Sequence, residues 1–262
     1  MSCCKTDRLE KYNIVSNDQY IIALAGNPNV GKSTLFNALT GMHQHTGNWP
    51  GKTVSQAHGS FDYNNRSYTI VDLPGTYSLL SNSADEEVAR DFICFGEPDL
   101  TLVVVDATSL ERNLNLALQV LEMTDRVIVC VNLMDEAERK RIDIDLKQLS
   151  KLLGVPAVGM SARSNRGTEK LKTTIEDVLE GKIICNPVRQ PYSEEIERAI
   201  AEIEPEVKHL LQGSTINSRW VSLRLIDDDE TILKSIEKYL MEIQENHKMG
   251  VNEPCPKSAI LG

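Results

Sequence analysis

One octapeptide, Gly26-Asn27-Pro28-Asn29-Val30-Gly31-Lys32-Ser33, constrains this chain more than any other feature. It fits G-x-x-x-x-G-K-[ST]. Its glycines let backbone N–H groups curl around an anion with no Cβ in the way. A helix starting at Lys32 aims the positive end of its dipole at the same anion. The apolar run Tyr20–Ala25 before the loop reads as a strand buried on both faces, and Lys32–Thr40 after it reads as the helix. Strand, glycine loop and helix in that order are the context this motif requires. Lys32 is expected to bridge the β- and γ-phosphates of a nucleotide and the Ser33 hydroxyl to ligate Mg²⁺, with Thr34 counted among the nucleotide contacts.

Strands and helices alternate onward from this loop. Ser55–Tyr63 and Ser67–Asp72 read as a hairpin about Asn64-Asn65. Leu100–Asp106, Arg126–Asn132 and Val155–Met160 read as strands, and Glu111–Met123, Asp145–Leu153 and Thr168–Leu179 as helices. The expected class is α/β: a doubly wound, mostly parallel sheet with one antiparallel edge, followed by a small all-helical domain. Residues 1–19 read as a flexible lead-in, 20–181 as the nucleotide-binding domain, 182–245 as the helical domain and 246–262 as a polar tail. In the helical part Ser193 caps a stripe of Ile196, Ile200, Ile203, Val207 and Leu210, which Pro205 should kink or split. Trp220–Ile226 is a second short helix, and Asp227–Asp229 precede a third apolar stripe.

Further motifs occur in order. Asp72-Leu73-Pro74-Gly75 ends a strand and matches D-x-x-G: Asp72 would hold Mg²⁺ through water, and the Gly75 N–H would sense the γ-phosphate. Asn132-Leu133-Met134-Asp135 resembles N-K-x-D, with Leu133 in place of the lysine. A carboxylate at Asp135 can accept from guanine N1 and its exocyclic amine, a donor pair adenine lacks. Ser161-Ala162-Arg163 resembles the S-A-[KR] loop that approaches guanine O6. The polar stretch Met42–Val54 reads as a mobile loop; Gly51, Lys52, Thr53 and Val54 are nucleotide contacts, and Thr53 is the residue expected to reach Mg²⁺. Where many GTPases carry a water-orienting Gln, this chain has Thr76 and Tyr77, so hydrolysis should be slow or draw positive charge from elsewhere.

The finer match is to one family. Gly26-Asn27-Pro28-Asn29, Gly47-Asn48-Trp49-Pro50-Gly51-Lys52-Thr53-Val54, Asp72-Leu73-Pro74-Gly75-Thr76-Tyr77-Ser78 and Asn132-Leu133-Met134-Asp135-Glu136 together resemble the N-terminal cytosolic part of FeoB, the bacterial ferrous iron transporter. The resemblance implies GTP hydrolysis coupled to Fe²⁺ uptake, a helical domain that damps GDP release, and attachment to a membrane permease at the cytoplasmic face of the inner membrane. It also implies a K⁺ ion held by Asn29 and the backbone carbonyls of Gly47 and Trp49, supplying the charge of an arginine finger. Lys32, Asn29, Thr53 and Gly75 are then the catalytic set. Small accessory transport proteins and a second copy of the chain are the further partners it suggests.

Composition limits the alternatives. A net charge of −10 and a pI near 5.1 speak against a nucleic-acid partner. That weakens the rival reading of a free-standing RNA- or ribosome-associated GTPase; a non-enzymatic nucleotide switch stays open. No apolar run approaches the length of a membrane-spanning helix, and the polar N-terminus does not read as a secretory signal. The six cysteines include no C-x-x-C pair, which suits a reducing compartment. Trp49 reads as a loop anchor or part of a partner surface. His43 and His45 read as ordinary loop residues, and Asp85-Glu86-Glu87 as a solvated helix start.

Overall fold

The computed structural model describes residues 20–41, 44–80, 83–189, 191–211 and 216–248, together with Leu9, Tyr12, Ile14 and Ser214. Seven strands form one sheet: β1 (Tyr20–Gly26), β2 (Gln44–Asn48), β3 (Ser55–Tyr63), β4 (Arg66–Asp72), β5 (Leu100–Asp106), β6 (Val127–Asn132) and β7 (Ala157–Gly159). Their order is β2-β3-β4-β1-β5-β6-β7. From β4 to β7 all pairings are parallel, and β2–β3 and β3–β4 are antiparallel. Around the sheet lie α1 (Lys32–Thr40), α2 (Ala84–Phe95), α3 (Leu110–Met123), α4 (Met134–Arg139), α5 (Leu146–Leu153) and α6 (Thr168–Leu179).

Alternation along the central strands builds both faces of the core. Ile22, Leu24, Leu102, Val104, Ile128 and Cys130 point to one side, where Leu35, Phe36, Leu171 and Ile175 of α1 and α6 cover them. Ala23, Ala25, Val103, Val105, Val129 and Val131 point to the other, under α2, α3 and α5. Being buried on both faces, these strands carry the unbroken apolar runs of the sequence. Burial pushes the Cys130 thiol up to about 12, as suits a plain core residue.

Beyond the sheet come α7 (Glu194–Leu210), α8 (Ser218–Ile226) and α9 (Glu230–Lys248). Their buried Val207, Trp220, Val221, Ile232, Ile236 and Tyr239 join the core on the α2/α3 side. The buried Arg90 guanidinium on α2 reaches Thr231 Oγ1 at 3.3 Å and Ser235 Oγ at 3.4 Å, and the Tyr239 hydroxyl donates to Glu97 at 2.6 Å. On α7 Glu197 receives two bonds from Arg219 of α8, at 2.7 and 2.8 Å, and one from the Tyr192 N–H. These donors hold its carboxyl down at about 2. A depressed carboxyl contributes stability that is present above its unfolded value near 4.5 and lost as pH falls toward 2. Glu197→Gln should therefore flatten the fall of melting temperature between pH 4.5 and 2; a fall as steep as in the parent chain would contradict this role.

Several expectations need correction. The supposed loop 42–54 contains β2, which adds to the free edge of β3 because backbone groups there otherwise lack partners. The expected strand 155–160 shortens to Ala157–Gly159 because Pro156 has no N–H to give to a ladder. Pro205 lies inside one continuous α7 without splitting it. The buried Ile200 and Val207 on either side of it, with the Glu197–Arg219 and Glu204–Ser218 bonds to α8, hold the helix through the missing hydrogen bond. Within the expected flexible lead-in, Leu9 and Ile14 are buried in the core and Tyr12 packs against it, its carbonyl accepting from Gln56. The third helix runs to Lys248, past the expected start of the tail. The rest of the lead-in and tail, with Cys3, Cys4, His43 and Cys255, lies outside the described residues.

Candidate functional site

The site lies at the C-terminal ends of the parallel strands, where doubly wound sheets bind ligands. β1 ends at Gly26, and the loop turns through Asn27–Gly31 into α1. Two glycines there are sterically enforced. A Cβ on Gly26 would stand 2.8 Å from the Val104 carbonyl oxygen. One on Gly31, whose φ is +84°, would stand 2.3 Å from Asn132 Nδ2. Asn29 also lies in the left-handed region, at φ +66°, with its side chain exposed. Asn27 is buried, and among the described residues its Oδ1 has no hydrogen-bond partner. Val30 points into the core, Pro28 is half-buried, and Ser33 and Thr34 are exposed on the first turn of α1.

The D-x-x-G segment runs along this loop. The Leu73 N–H donates to Leu24 O at 3.0 Å and the Thr76 N–H to Gly26 O at 3.3 Å. Gly75 backs onto Pro28, 3.4 Å from the place of its absent Cβ, and the half-buried Pro74 leads into it. Lys32 and Asp72 form an ion pair. Burial raises the Asp72 carboxyl above its usual range, against the pull of the lysine. A partly desolvated carboxylate beside an exposed hydroxyl suits Mg²⁺, which keeps waters and takes its other ligands from phosphate oxygens. Ser33 and Asp72 therefore fit that ion.

Asn132 ties the 161–163 loop to the phosphate loop. Its Nδ2 donates to Val30 O at 2.9 Å, and its Oδ1 accepts from the Ala162 N–H at 3.0 Å. Leu133 adopts φ +63°, which turns the chain from β6 into α4. The Met134 N–H donates to Met160 O at 3.1 Å, and the Asp135 N–H to Ser161 Oγ at 3.1 Å. The Asp135 carboxylate is left 45% exposed, 3.8 Å from Arg139, so it can receive an incoming base. Arg163 is exposed beyond Ala162.

The switch segment lies apart from these groups. Gly47 sits in the β2–β3 ladder opposite Gln56. β2 is three strands from β1, about 14 Å at the usual strand spacing. Trp49 is buried edge-on against Tyr12 and Phe92, with ring centroids 5.7 and 5.4 Å away, which makes it an anchor. Its carbonyl accepts from the Lys52 N–H at 3.0 Å, and its N–H donates to Val54 O at 2.9 Å. Gly51 has φ +69°, Lys52 pairs with Glu87, Thr53 is exposed and Val54 buried. The structure thus brings together the phosphate loop, D-x-x-G and the 132–135 and 161–163 loops, holds Gly47 in the β2–β3 ladder and Trp49 against Phe92, and leaves Thr53 exposed between β2 and β3.

Three neighbours of the site escaped the motif reading. Glu87 holds Lys52, the Arg112 guanidinium lies 4.7 Å over the Tyr77 ring, and Gln119 Oε1 accepts from the Leu79 N–H at 2.7 Å. Only spacing on helices distant in sequence could have signalled them.

A glycine loop opening α1, an Asp72–Lys32 pair beside it and an Asn132-centred base site define a P-loop domain of the GTPase type. A family model described as "Ferrous iron transport protein B" matches residues 20–175, and one described as "FeoB cytosolic helical domain" matches 192–253. The chain belongs to the FeoB family. It is 43% identical over 233 residues to the Fe(2+) transporter FeoB of Methanocaldococcus jannaschii, covering 88% of this chain and 33% of that protein. To the Fe(2+) transporter FeoB of Escherichia coli K12 it is 40% identical over 213 residues, covering 79% and 27%. The chain thus spans a third or less of these relatives. Among solved structures it resembles the cytosolic domain of T. maritima FeoB in GDP form I, at 36% identity and TM-score 0.73, covering 92% and 89%. The cytosolic domain of L. pneumophila FeoB matches at 35% identity and TM-score 0.74, covering 86% and 89%. Among the described residues no helix is long and apolar enough to cross a membrane.

Proposed function

We propose that this chain binds GTP and hydrolyses it to GDP and phosphate, as the nucleotide-operated part of a ferrous iron transporter. The observation that carries the reading is Asn132, whose two bonds set the base-reading Asp135 and Ala162 loops at a fixed distance from the phosphate loop. Asp135 accepts from the guanine edge, and the backbone N–H groups of Asn29–Ser33 with the Lys32 ammonium take the phosphates. When GTP enters, Lys32 exchanges part of its pairing with Asp72 for phosphate oxygens, and Ser33 and Asp72 would hold Mg²⁺, which would supply charge neutralisation at the phosphates. Water attacks the γ-phosphorus as the bond to the β–γ bridging oxygen breaks, and GDP leaves with the electron pair. Gly75, seated on Pro28, offers its N–H to the γ-phosphate and so couples its presence to the segment that ends at Gln119.

Thr53 and the Gly47 and Trp49 carbonyls can join only if β2 leaves β3 and Trp49 leaves its seat on Phe92. The bond from Lys52 N–H to the Trp49 carbonyl must open as well. These steps make turnover slow. Potassium stimulation through Asn29 then requires that rearrangement. Phosphate release should be faster in KCl than in NaCl at equal ionic strength, and Asn29→Ala should erase the difference with little change in the sodium rate. Equal rates of the parent chain in both salts would overturn the potassium assignment. The bonds of Arg90 and Glu97 to α9 give the helical part a direct hold on α2, and through it a route to an attached permease.

A further inference from the structure

Outside the nucleotide site, the described residues bring two imidazoles together on the switch strand. His45 of β2 and His58 of β3 are directly opposed in the antiparallel register. Their rings stack with centroids 5.2 Å apart and an interplanar angle of 25°. Opposed residues on such a pair have Cβ atoms about 4.5–5.5 Å apart, so both side chains leave the sheet from one patch. His58 is half-buried and His45 exposed, so the pair is reached from solvent on one side and backed by the sheet on the other. Among the described residues neither ring has a hydrogen-bond partner, which leaves the ring nitrogens available. Two imidazole nitrogens on one metal lie within about 4 Å of each other, twice a metal–nitrogen bond. The ring centroids stand 5.2 Å apart, so rotation about the χ2 bonds would have to turn one nitrogen of each ring toward a shared ion.

We propose that His45 and His58 form a site for a divalent first-row transition-metal ion, water completing its coordination, and that its occupancy pins β2 to β3. Imidazole is the side chain that suits such ions best at neutral pH, whereas Mg²⁺ prefers oxygen. The position gives binding a consequence. β2 is a five-residue edge strand, Gln44-His45-Thr46-Gly47-Asn48, with no aliphatic side chain and only the His45 ring stacked across to β3. Such a strand is weakly specified by packing, so a cross-strand chelate contributes a large share of what keeps it paired. The same strand must leave β3 for Gly47, Trp49 and Thr53 to reach a nucleotide. A metal ion here would thus favour the switch conformation described above and slow turnover. This last consequence rests on the proposed GTPase cycle; metal binding itself does not.

The test is a titration of the full chain, free of nucleotide, with Co²⁺, followed by its visible absorption and by calorimetry. His45→Ala and His58→Ala are titrated separately, with His209→Ala as control. We expect one Co²⁺ equivalent whose affinity falls at least about tenfold in each of the first two variants, the loss that even an outer partner of a metal site causes. His209→Ala should retain that equivalent, and any Co²⁺ bound by thiols should persist in all variants. Co²⁺ binding unchanged in either His45→Ala or His58→Ala overturns the site. A second titration, with the non-hydrolysable analogue GMPPNP and Mg²⁺ present, should weaken Co²⁺ binding to the parent chain several-fold. If both histidine variants lose the equivalent but GMPPNP leaves the parent affinity unchanged, the metal site stands and the release of β2 on GTP binding fails.

Discussion

Replacing Asp135 by asparagine is expected to weaken GTP binding about a hundredfold or more while xanthosine triphosphate binds the variant well. The carboxylate is 45% exposed on the first turn of α4 and accepts only. Guanine offers it two donors, N1–H and the exocyclic amine, and each bond to a charged group is worth about 1.5–3 kcal/mol. An asparagine keeps one acceptor and turns an amide donor toward the amine, so one bond is lost and one contact becomes repulsive. Xanthine carries a carbonyl where guanine carries the amine, and the amide donor then finds a partner. The fold should not suffer, because the structural bond here is from the Asp135 N–H to Ser161 Oγ. Fluorescent-nucleotide titrations of both proteins with guanine and xanthine nucleotides measure the switch. Unchanged affinity for GTP would show that the base is read elsewhere.

Asn132→Ala should do damage of a different kind. It strips partners from Val30 O and the Ala162 N–H together, at a residue that is 1% exposed. A buried backbone group left unpaired costs about 1–3 kcal/mol, and in a chain of this size each kcal/mol lowers the melting temperature by about 2–4 °C. A fall of roughly 5–15 °C is expected, with loss of nucleotide affinity because the two halves of the site are no longer tied. Asn132→Asp should not rescue it: a carboxylate still accepts from Ala162 but faces the Val30 carbonyl without a proton to give. A thermal melt of the nucleotide-free chain separates this from a purely ligand-contacting role, since a side chain that only touched GTP would leave the melt unmoved.

These two residues show how much of the molecule was legible in the sequence. The strands β1, β5 and β6 declared themselves through apolar runs such as Leu102–Val105, because burial on both faces leaves few polar positions. Helices with clear caps, such as Asp145 before α5 and Gly154 after it, could be bounded closely. The motifs supplied the proposed site residues in order along the chain. Spacing could not show that Asn132 faces the protein on both sides, because its partners are 102 and 30 residues away. The strand β2 was illegible for a related reason. Its residues are polar and small, and it exists because the edge of β3 offers a ladder and Trp49 finds a slot between Tyr12 and Phe92. Pro205 does not split α7, whose Glu204 accepts from Ser218 of α8 one residue before it.

The proposed GTP turnover depends on the phosphate loop acting together with the Asp135 carboxylate as the reader of guanine. Phosphate release by the full chain, in KCl with Mg²⁺, from GTP and from ATP at equal concentration tests it most directly. Steady phosphate release from GTP is expected, with at least a hundredfold less from ATP. Equal release from the two nucleotides, or none from GTP, would contradict it.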